Sequence, residues 1–309
     1  MKETSSVYRA GPSAEGSASG ATGGSNAAVR LTASEVQYEL AIDAYQNWNV
    51  SAGVSSALFY RLADCYLVRF PGIADFRIED SNGAVVCTPA LASGDRWQAV
   101  YQQQIVPLTA SLHGLPVYHG AAIAIDGFAV AILGASGRGK STLAAAFAAR
   151  GYPFLADDCL RLTEVDGVAF VHPDRAAIRL WDDSIDALAP REVVAHYAAG
   201  SPKAHLPAAD TLPHCAETLP LGRAYVLGHE DVDAPVLAAL TLAESAMAWT
   251  SNAFLLDIKS PSVLRRNFSA AGRWASLVPG RRLEYPRRYE VLDALVAAVV
   301  ADALVTEPR

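Results

Sequence analysis

Apolar positions alternate with polar ones over several short stretches in the first third of the chain, again in its middle, and give way to helical spacing toward its end. Val29-Arg30-Leu31-Thr32 opens the first alternation. Strand-like runs follow at Cys65–Phe70 and Phe76–Glu79, and an Asn82-Gly83 turn into Ala84–Cys87 predicts a hairpin. A helical stretch from Arg96 to Leu112 closes this part, so residues 29–114 read as a small α+β amino-terminal region. Residues 1–28 mix Gly, Ser and Ala with few apolar anchors, too little burial to offset the entropy of ordering, and are expected to be a flexible tail.

The middle of the chain is more apolar. Pro116–Ile125 and Phe128–Leu133 predict two strands about an Asp126-Gly127 turn. A glycine-rich stretch follows, then an alanine-rich helix from Leu143 to Arg150 that Gly151 stops. Phe154-Leu155-Ala156 predicts a buried strand ending in two acids. Further strands are expected at Leu160–Val165 and Val168–Val171 around Asp166-Gly167, and at Ile178–Trp181. Ala198 to Leu219, rich in Pro, Ala and His, reads as a long loop. Helices are expected at Leu242–Phe254, Ser262–Leu277 and Tyr289–Leu304, with a strand at Arg282–Tyr285. No internal repeat is visible.

Composition narrows the class. Hydrophobic residues make up 51% of 309 and charged ones 18%, enough for a full core. The formal net charge of -7 argues against a partner held by phosphates, whether nucleic acid or anionic lipid. Mean hydropathy of +0.17 reflects alanine rather than a membrane span, because no run of 18 apolar residues is unbroken. No apolar segment follows Lys2, so no secretory signal is expected. The four cysteines, Cys65, Cys87, Cys159 and Cys215, form no CxxC pair and predict buried thiols in a reducing cytoplasm.

Chemistry concentrates around one motif. Gly134-Ala135-Ser136-Gly137-Arg138-Gly139-Lys140-Ser141 satisfies G-x-x-x-x-G-K-[ST] between an apolar strand and a helix. Glycines let backbone N–H groups turn inward as an anion nest, and the helix that starts near Lys140 points its positive end at the same place. These eight residues and Thr142 are the expected ATP-binding residues. Lys140 would add a charge on the transferred phosphoryl group, and the Ser141 hydroxyl can ligate Mg²⁺. Asp157 and Asp158 lie 17 and 18 residues beyond Lys140, and the intervening helix and strand bring them back beside the loop. Adjacent acids can divide two tasks, one holding the metal and the other accepting a proton. Read alone, an Asp-Asp pair at a strand end is a solvated turn, and His119, 21 residues before Lys140, is a structural histidine.

Through His119-Gly120, the loop 134–141, Arg150-Gly151 and Leu155-Ala156-Asp157-Asp158, the sequence resembles the catalytic domain of the HPr kinase/phosphorylase family. The resemblance implies an α/β fold over 115–309, a P-loop kinase domain of the HPr kinase / phosphoenolpyruvate carboxykinase type. It implies Asp158 as proton acceptor for a protein serine, Ser141 as a Mg²⁺ ligand, and His119 and Lys140 as active-site groups. Asp158 with Asp157 would also serve the metal. Two departures stand out. Ala177-Ile178-Arg179-Leu180-Trp181 carries Ala177 where the family's metal-binding glutamate would stand, so Asp157 or Asp183 would have to complete the shell. No counterpart of the arginine associated with phosphorolysis is identifiable.

Looser patterns at Arg69–Phe76, Leu115–Gly120, His172–Trp181 and Leu264–Phe268 are similar to the shorter relatives that phosphorylate a serine of lasso-peptide precursors. The expected activity is thus a Mg²⁺- and ATP-dependent serine kinase acting on a peptide or small protein. Arg179, Arg265 and Arg266 are candidates for phosphate or acidic-substrate contacts, or are plain surface charges. The alternatives are a nucleotide-dependent peptide-binding module without phosphotransfer, an HPr-type protein kinase, and a small-molecule kinase or carboxykinase relative, for which no substrate motif is visible. The resemblance also leaves a homo-oligomer open.

Overall fold

The computed structural model describes residues 29–51, 54–188, 196–197, 203–229 and 231–305. The expected tail, 1–28, lies outside them, as does the 198–202 part of the expected long loop.

The first layer is a six-stranded sheet. Its strands are β1 (Arg30–Leu31), β2 (Gln46–Ser51), β3 (Val54–Arg61), β4 (Cys65–Phe70), β5 (Ala74–Glu79) and β6 (Val85–Pro89), ordered β1-β6-β5-β4-β3-β2. The β5–β6 hairpin matches the Asn82-Gly83 turn, with Gly83 at φ +67. Alternation along β5 turns Ala74, Phe76 and Ile78 inward. There they meet a helical segment built as α1 (Arg96–Val100), a π-helical turn (Tyr101–Ile105) and α2 (Val106–Leu112). Phe76 stacks on Tyr101 with ring centroids 6.3 Å apart, and Ile105 and Leu108 are fully buried. Strands β2 and β3 are additional to the sequence reading.

The rest is a mixed α/β assembly around a second sheet. Its elements begin with β7 (Val117–Tyr118), β8 (Gly120–Ile125), β9 (Phe128–Leu133), α3 (Lys140–Ala148), β10 (Phe154–Ala156), β11 (Leu160–Val165) and β12 (Val168–His172). There follow β13 (Ala177–Leu180), α4 (Asp182–Leu188), β14 (His196–Tyr197), β15 (Ala204–Pro207), β16 (Leu219–Leu227) and β17 (Val236–Ala239). The chain closes with α5 (Leu242–Ser251), α6 (Pro261–Leu277), β18 (Gly280–Glu284), a 3-10 turn (Tyr289–Val291) and α7 (Leu292–Leu304).

The order β10-β8-β9-β16-β12-β11-β7 puts β9 parallel to β16, and β16 parallel to β18, which also pairs with β17. Both expected Asp-Gly hairpins form, with Asp126, Gly127, Asp166 and Gly167 all at positive φ. Alternation sorts side chains to two faces. Ile123, Val130 and Ile132 pack with Leu143 and Phe147 of α3 and Leu295 and Val299 of α7. Ala122, Ala131 and Leu133 pack with Trp249 of α5 and Trp274 of α6. Helices therefore cover both faces, and among the described residues none is long and apolar enough to cross a membrane. Cys65 and Cys87 are buried, whereas Cys159 and Cys215 are only half-buried, contrary to a uniform expectation.

Several expected boundaries move. The run 116–125 is two strands rather than one: β7 pairs with β11, β8 with β9 and β10, and the chain changes partner at His119. A Cβ on Gly120 would stand 2.6 Å from Leu160 and 2.8 Å from the Ile132 carbonyl, so only glycine lets the chain pass there. The expected loop to Leu219 contains β15, whose register on β13 pairs Arg179 with His205. Helix α5 ends at Ser251 rather than Phe254, because the Asn252 side chain turns back on the Ala248 carbonyl. Beyond it, Ala253 bridges to Tyr118, and the Phe254 amide donates to the Val117 carbonyl. Leu256 then enters the amino-terminal core, fully buried, its carbonyl held by the Tyr45 hydroxyl while Asp257 accepts from Tyr66.

Candidate active site

The glycine-rich loop joins β9 to α3. Gly134, Gly137 and Gly139 adopt φ values of +146, +77 and +87, a region that costs other residues about 1–2 kcal/mol. Gly139 is also crowded: a Cβ there would lie 2.9 Å from the Tyr285 hydroxyl. Arg287 fastens the loop from outside, donating to the Arg138 carbonyl, to the Gly228 carbonyl at 2.9 Å and to the Tyr285 hydroxyl at 2.8 Å. Lys140 is buried, 6% exposed as a residue, and its ammonium donates to the carbonyls of Gly134 (2.7 Å) and Ala135 (3.0 Å). Burial lowers its pKa to about 8, against the opposing pull of Asp158 and Asp157. Residues 134–142 line a cleft of about 1520 Å³ that also holds His119, Asp158, Arg179 and Lys203.

Strand β10 delivers the two acids into different settings. Asp157 is buried; its Oδ2 accepts from the Arg179 amide at 2.9 Å, and Ser141 also donates to it. Its Oδ1 has no hydrogen-bond partner among the described residues. Burial, and then the charge of Asp158, push Asp157 up to about 7. Burial alone would raise Asp158 as well, but Arg179, His119 and Lys203 outweigh it and hold that carboxyl below the ordinary range. Arg179 Nη1 donates to Asp158 Oδ2 at 2.8 Å, while Oδ1 stands 4.0 Å from His119 Nδ1. The Asp158 backbone is left-handed at φ +70, strain tolerated only where the surroundings over-determine it.

His119 sits where β7 gives way to β8. Its amide donates to the Asn252 carbonyl at 2.6 Å, and Phe254 packs edge-on against its ring at 6.1 Å. Nδ1 lies 3.1 Å from the Asp158 carbonyl, which assigns the proton to Nδ1 and leaves Nε2 an acceptor. Burial, and then the Lys140 charge, lower its pKa and favour the neutral ring.

The structure thus gathers His119, Lys140, Ser141, Asp157 and Asp158, and adds groups the sequence did not single out. Asn252 Oδ1 accepts from the Gly134 amide at 3.3 Å; Lys203, at the start of β15, acts electrostatically on His119, Lys140 and both acids. The buried Ser184 hydroxyl lies 3.1 Å from Thr142 and 3.0 Å from Tyr289. None belongs to a linear motif, and they reach the cleft from three separate stretches: the end of α5, the approach to β15, and α4. Arg265 and Arg266 belong elsewhere: both are exposed on α6 outside the cleft, with Arg266 facing the Ser111 and Leu112 carbonyls.

Asp183 does line the cleft, where its Oδ1 caps the Ser184 amide at 2.9 Å, and Ala177 lies in β13. Among the described residues no three His, Cys, Asp or Glu side chains gather around a common metal position. Asp157 itself lies behind the residues that line the cleft; its buried Oδ1, without a hydrogen-bond partner among the described residues, and the Ser141 side chain against the same carboxyl nevertheless suit a divalent cation that arrives with phosphate oxygens and water as its remaining ligands.

No known family model matches this sequence, and no curated protein does. Among solved structures the chain is similar to the Hpr(Ser) kinase/phosphatase from Coxiella burnetii, with 13% sequence identity and a TM-score of 0.32 over 60% of this chain and 95% of that one. At that level of similarity the chemistry of the site rests on this chain's own residues.

Proposed function

We propose that the protein is a Mg²⁺- and ATP-dependent kinase that transfers the γ-phosphoryl group to a serine hydroxyl of a peptide or small protein, a lasso-peptide precursor being the class its outer motifs suggest. The observation that carries this reading is the state of Asp158. It is held ionised and strained at the cleft that contains the phosphate loop, with Oδ2 taken by Arg179 and Oδ1 facing the neutral His119.

In this reading the loop amides and Lys140 bind the β- and γ-phosphates, Lys140 exchanging the Gly134 and Ala135 carbonyls for phosphate oxygens. Ser141 and Asp157 hold the magnesium ion, which when bound neutralises charge on the phosphates. Asp158 Oδ1 accepts the serine proton as the serine oxygen bonds to phosphorus. The bond from phosphorus to the β–γ bridging oxygen breaks, and ADP leaves. His119 fixes the Asp158 backbone through Nδ1, and Arg179 keeps the carboxylate charged.

Ala177 in place of a metal-binding glutamate favours a second reading, a module that grips ATP and peptide without transfer. Incubation with γ-labelled ATP, Mg²⁺ and serine peptides separates the two. Label on peptide serine, lost by at least about a hundredfold in Asp158→Asn with ATP affinity retained, supports the kinase. Tight ATP binding without transfer supports the module, and phosphate release without an acceptor supports a hydrolase.

A further inference from the structure

The cleft is larger than a nucleotide requires. Its roughly 1520 Å³ exceeds the range of about 300–1,000 Å³ common for small-molecule sites. The wall that complements the phosphate loop comes from the amino-terminal part: Gln46, Asn47, Trp48 and Asn49 of β2, with Gln103 and Gln104. Five of these six side chains are carboxamides and none is charged.

Four further observations bear on what this wall receives. Strand β2 is the outermost of its sheet, and among the described residues β3 is the one strand that pairs with it, so its outer edge is not part of a ladder there. The β2–β3 register slips at Trp48/Asn49 and again at Asn49/Ser51, irregularities that concentrate beside functional sites. Gln103 and Gln104 lie on the π-helical turn, an uncommon winding with the same tendency. The Gln46 Oε1 atom is buried and has no hydrogen-bond partner among the described residues, an acceptor in want of an N–H.

The wall is continuous with the chemistry. Gln103 Nε2 lies 3.3 Å from His205 Nε2, and His205 pairs across β15–β13 with Arg179, the partner of Asp158. Neutral amides that both donate and accept match the peptide bond itself. Trp48 is packed edge-on against Phe59 at 4.9 Å, so its ring serves the core rather than a flat sugar face.

We propose that this wall docks the acceptor as an extended peptide segment, which pairs along the outer edge of β2 and presents its serine to Asp158. The inference rests on the phosphotransfer reading and adds how the acceptor is held.

The test gives the full chain Mg²⁺, γ-labelled ATP and a library of twelve-residue peptides with one fixed serine. The best acceptor is then resynthesised with single backbone N-methyl groups. Strand pairing predicts transfer losses of about tenfold or more at alternate positions, with the intervening ones tolerated. The double variant Asn47→Ala/Gln104→Ala should raise KM for the peptide about tenfold, with the Kd for ATP within about twofold. N-methyl effects without a period of two, an unchanged peptide KM, a joint loss of ATP affinity, or equal transfer to free serine or to sugars would each overturn the docking site while leaving phosphotransfer standing. Wild-type protein that binds ATP but labels no peptide would instead overturn the kinase reading, and this inference with it.

Discussion

Replacing Asp157 by asparagine should make the nucleotide-free protein more stable, and increasingly so as pH rises. The carboxyl is buried with one oxygen unpartnered, and its pKa is pushed from 3.8 to about 7. Because the folded-state value is raised, the folded protein holds a proton that the unfolded chain has lost between those two pH values. Stability is therefore fullest below the unfolded pKa and falls as pH climbs, until the loss is complete above about 7. The full difference corresponds to roughly 4 kcal/mol, and the part already lost at pH 5.5 to roughly 2 kcal/mol.

Asparagine avoids the ionisation and can still accept from the Arg179 amide. The variant should thus gain about 2 kcal/mol on the wild type between pH 5.5 and pH 8.5, worth about 3 °C in Tm for a chain of this length. Thermal unfolding at the two pH values, without nucleotide or divalent cation, measures it. The same variant should lose most of the stabilisation that Mg²⁺ with ATP confers on the wild type. A variant less stable than wild type at pH 8.5, or an advantage that does not grow with pH, would refute the account of Asp157 as a carboxylate buried at a cost.

Two other perturbations test separate parts of the framework. Asp302 accepts from Arg223 (2.7 Å), Tyr225 (2.8 Å) and Arg281 (3.2 Å), so Asp302→Ala leaves the buried Arg223 without its anion. It should cost about 3 kcal/mol in urea unfolding, partly restored by Arg223→Met in the same chain. These partners outweigh burial and lower the pKa of Asp302, so its contribution holds above the ordinary carboxylate range and disappears as pH falls through the folded-state value. Gly139→Ala forces a side chain into a left-handed position against the Tyr285 hydroxyl, and calorimetric titration with ATP should show affinity reduced by about tenfold or more.

Local chemistry made the centre of the molecule readable. Asp-Gly turns specify their hairpins, the glycines of 134–139 specify the loop, and the strand Phe154–Ala156 carries both acids to it. Elements whose pattern depends on distant partners stayed hidden. Strand β16, between β9 and β12, contains Pro220, Gly222 and a buried Arg223, a run without apolar alternation whose buried charge is answered by Asp302, 79 residues later. Strand β2 is Gln-Asn-Trp-Asn-Val-Ser, with too few apolar positions to alternate, because its exposed side faces the cleft rather than a core. The pairing of Arg179 with Asp158 was equally out of reach, since it requires β13 and β10 to be adjacent in space.

The stretch from Asn252 to Asp257 is a short cord between the two sheets. At one end it steadies Gly134 and His119; at the other, Leu256 and Asp257 are anchored in the six-stranded sheet. A shortened protein beginning at residue 115 would leave Leu256 with no socket and Phe254 with no backing. The histidine it shields would lose its wall, so the half that carries the glycine-rich loop is not expected to keep its cleft as a stand-alone fragment.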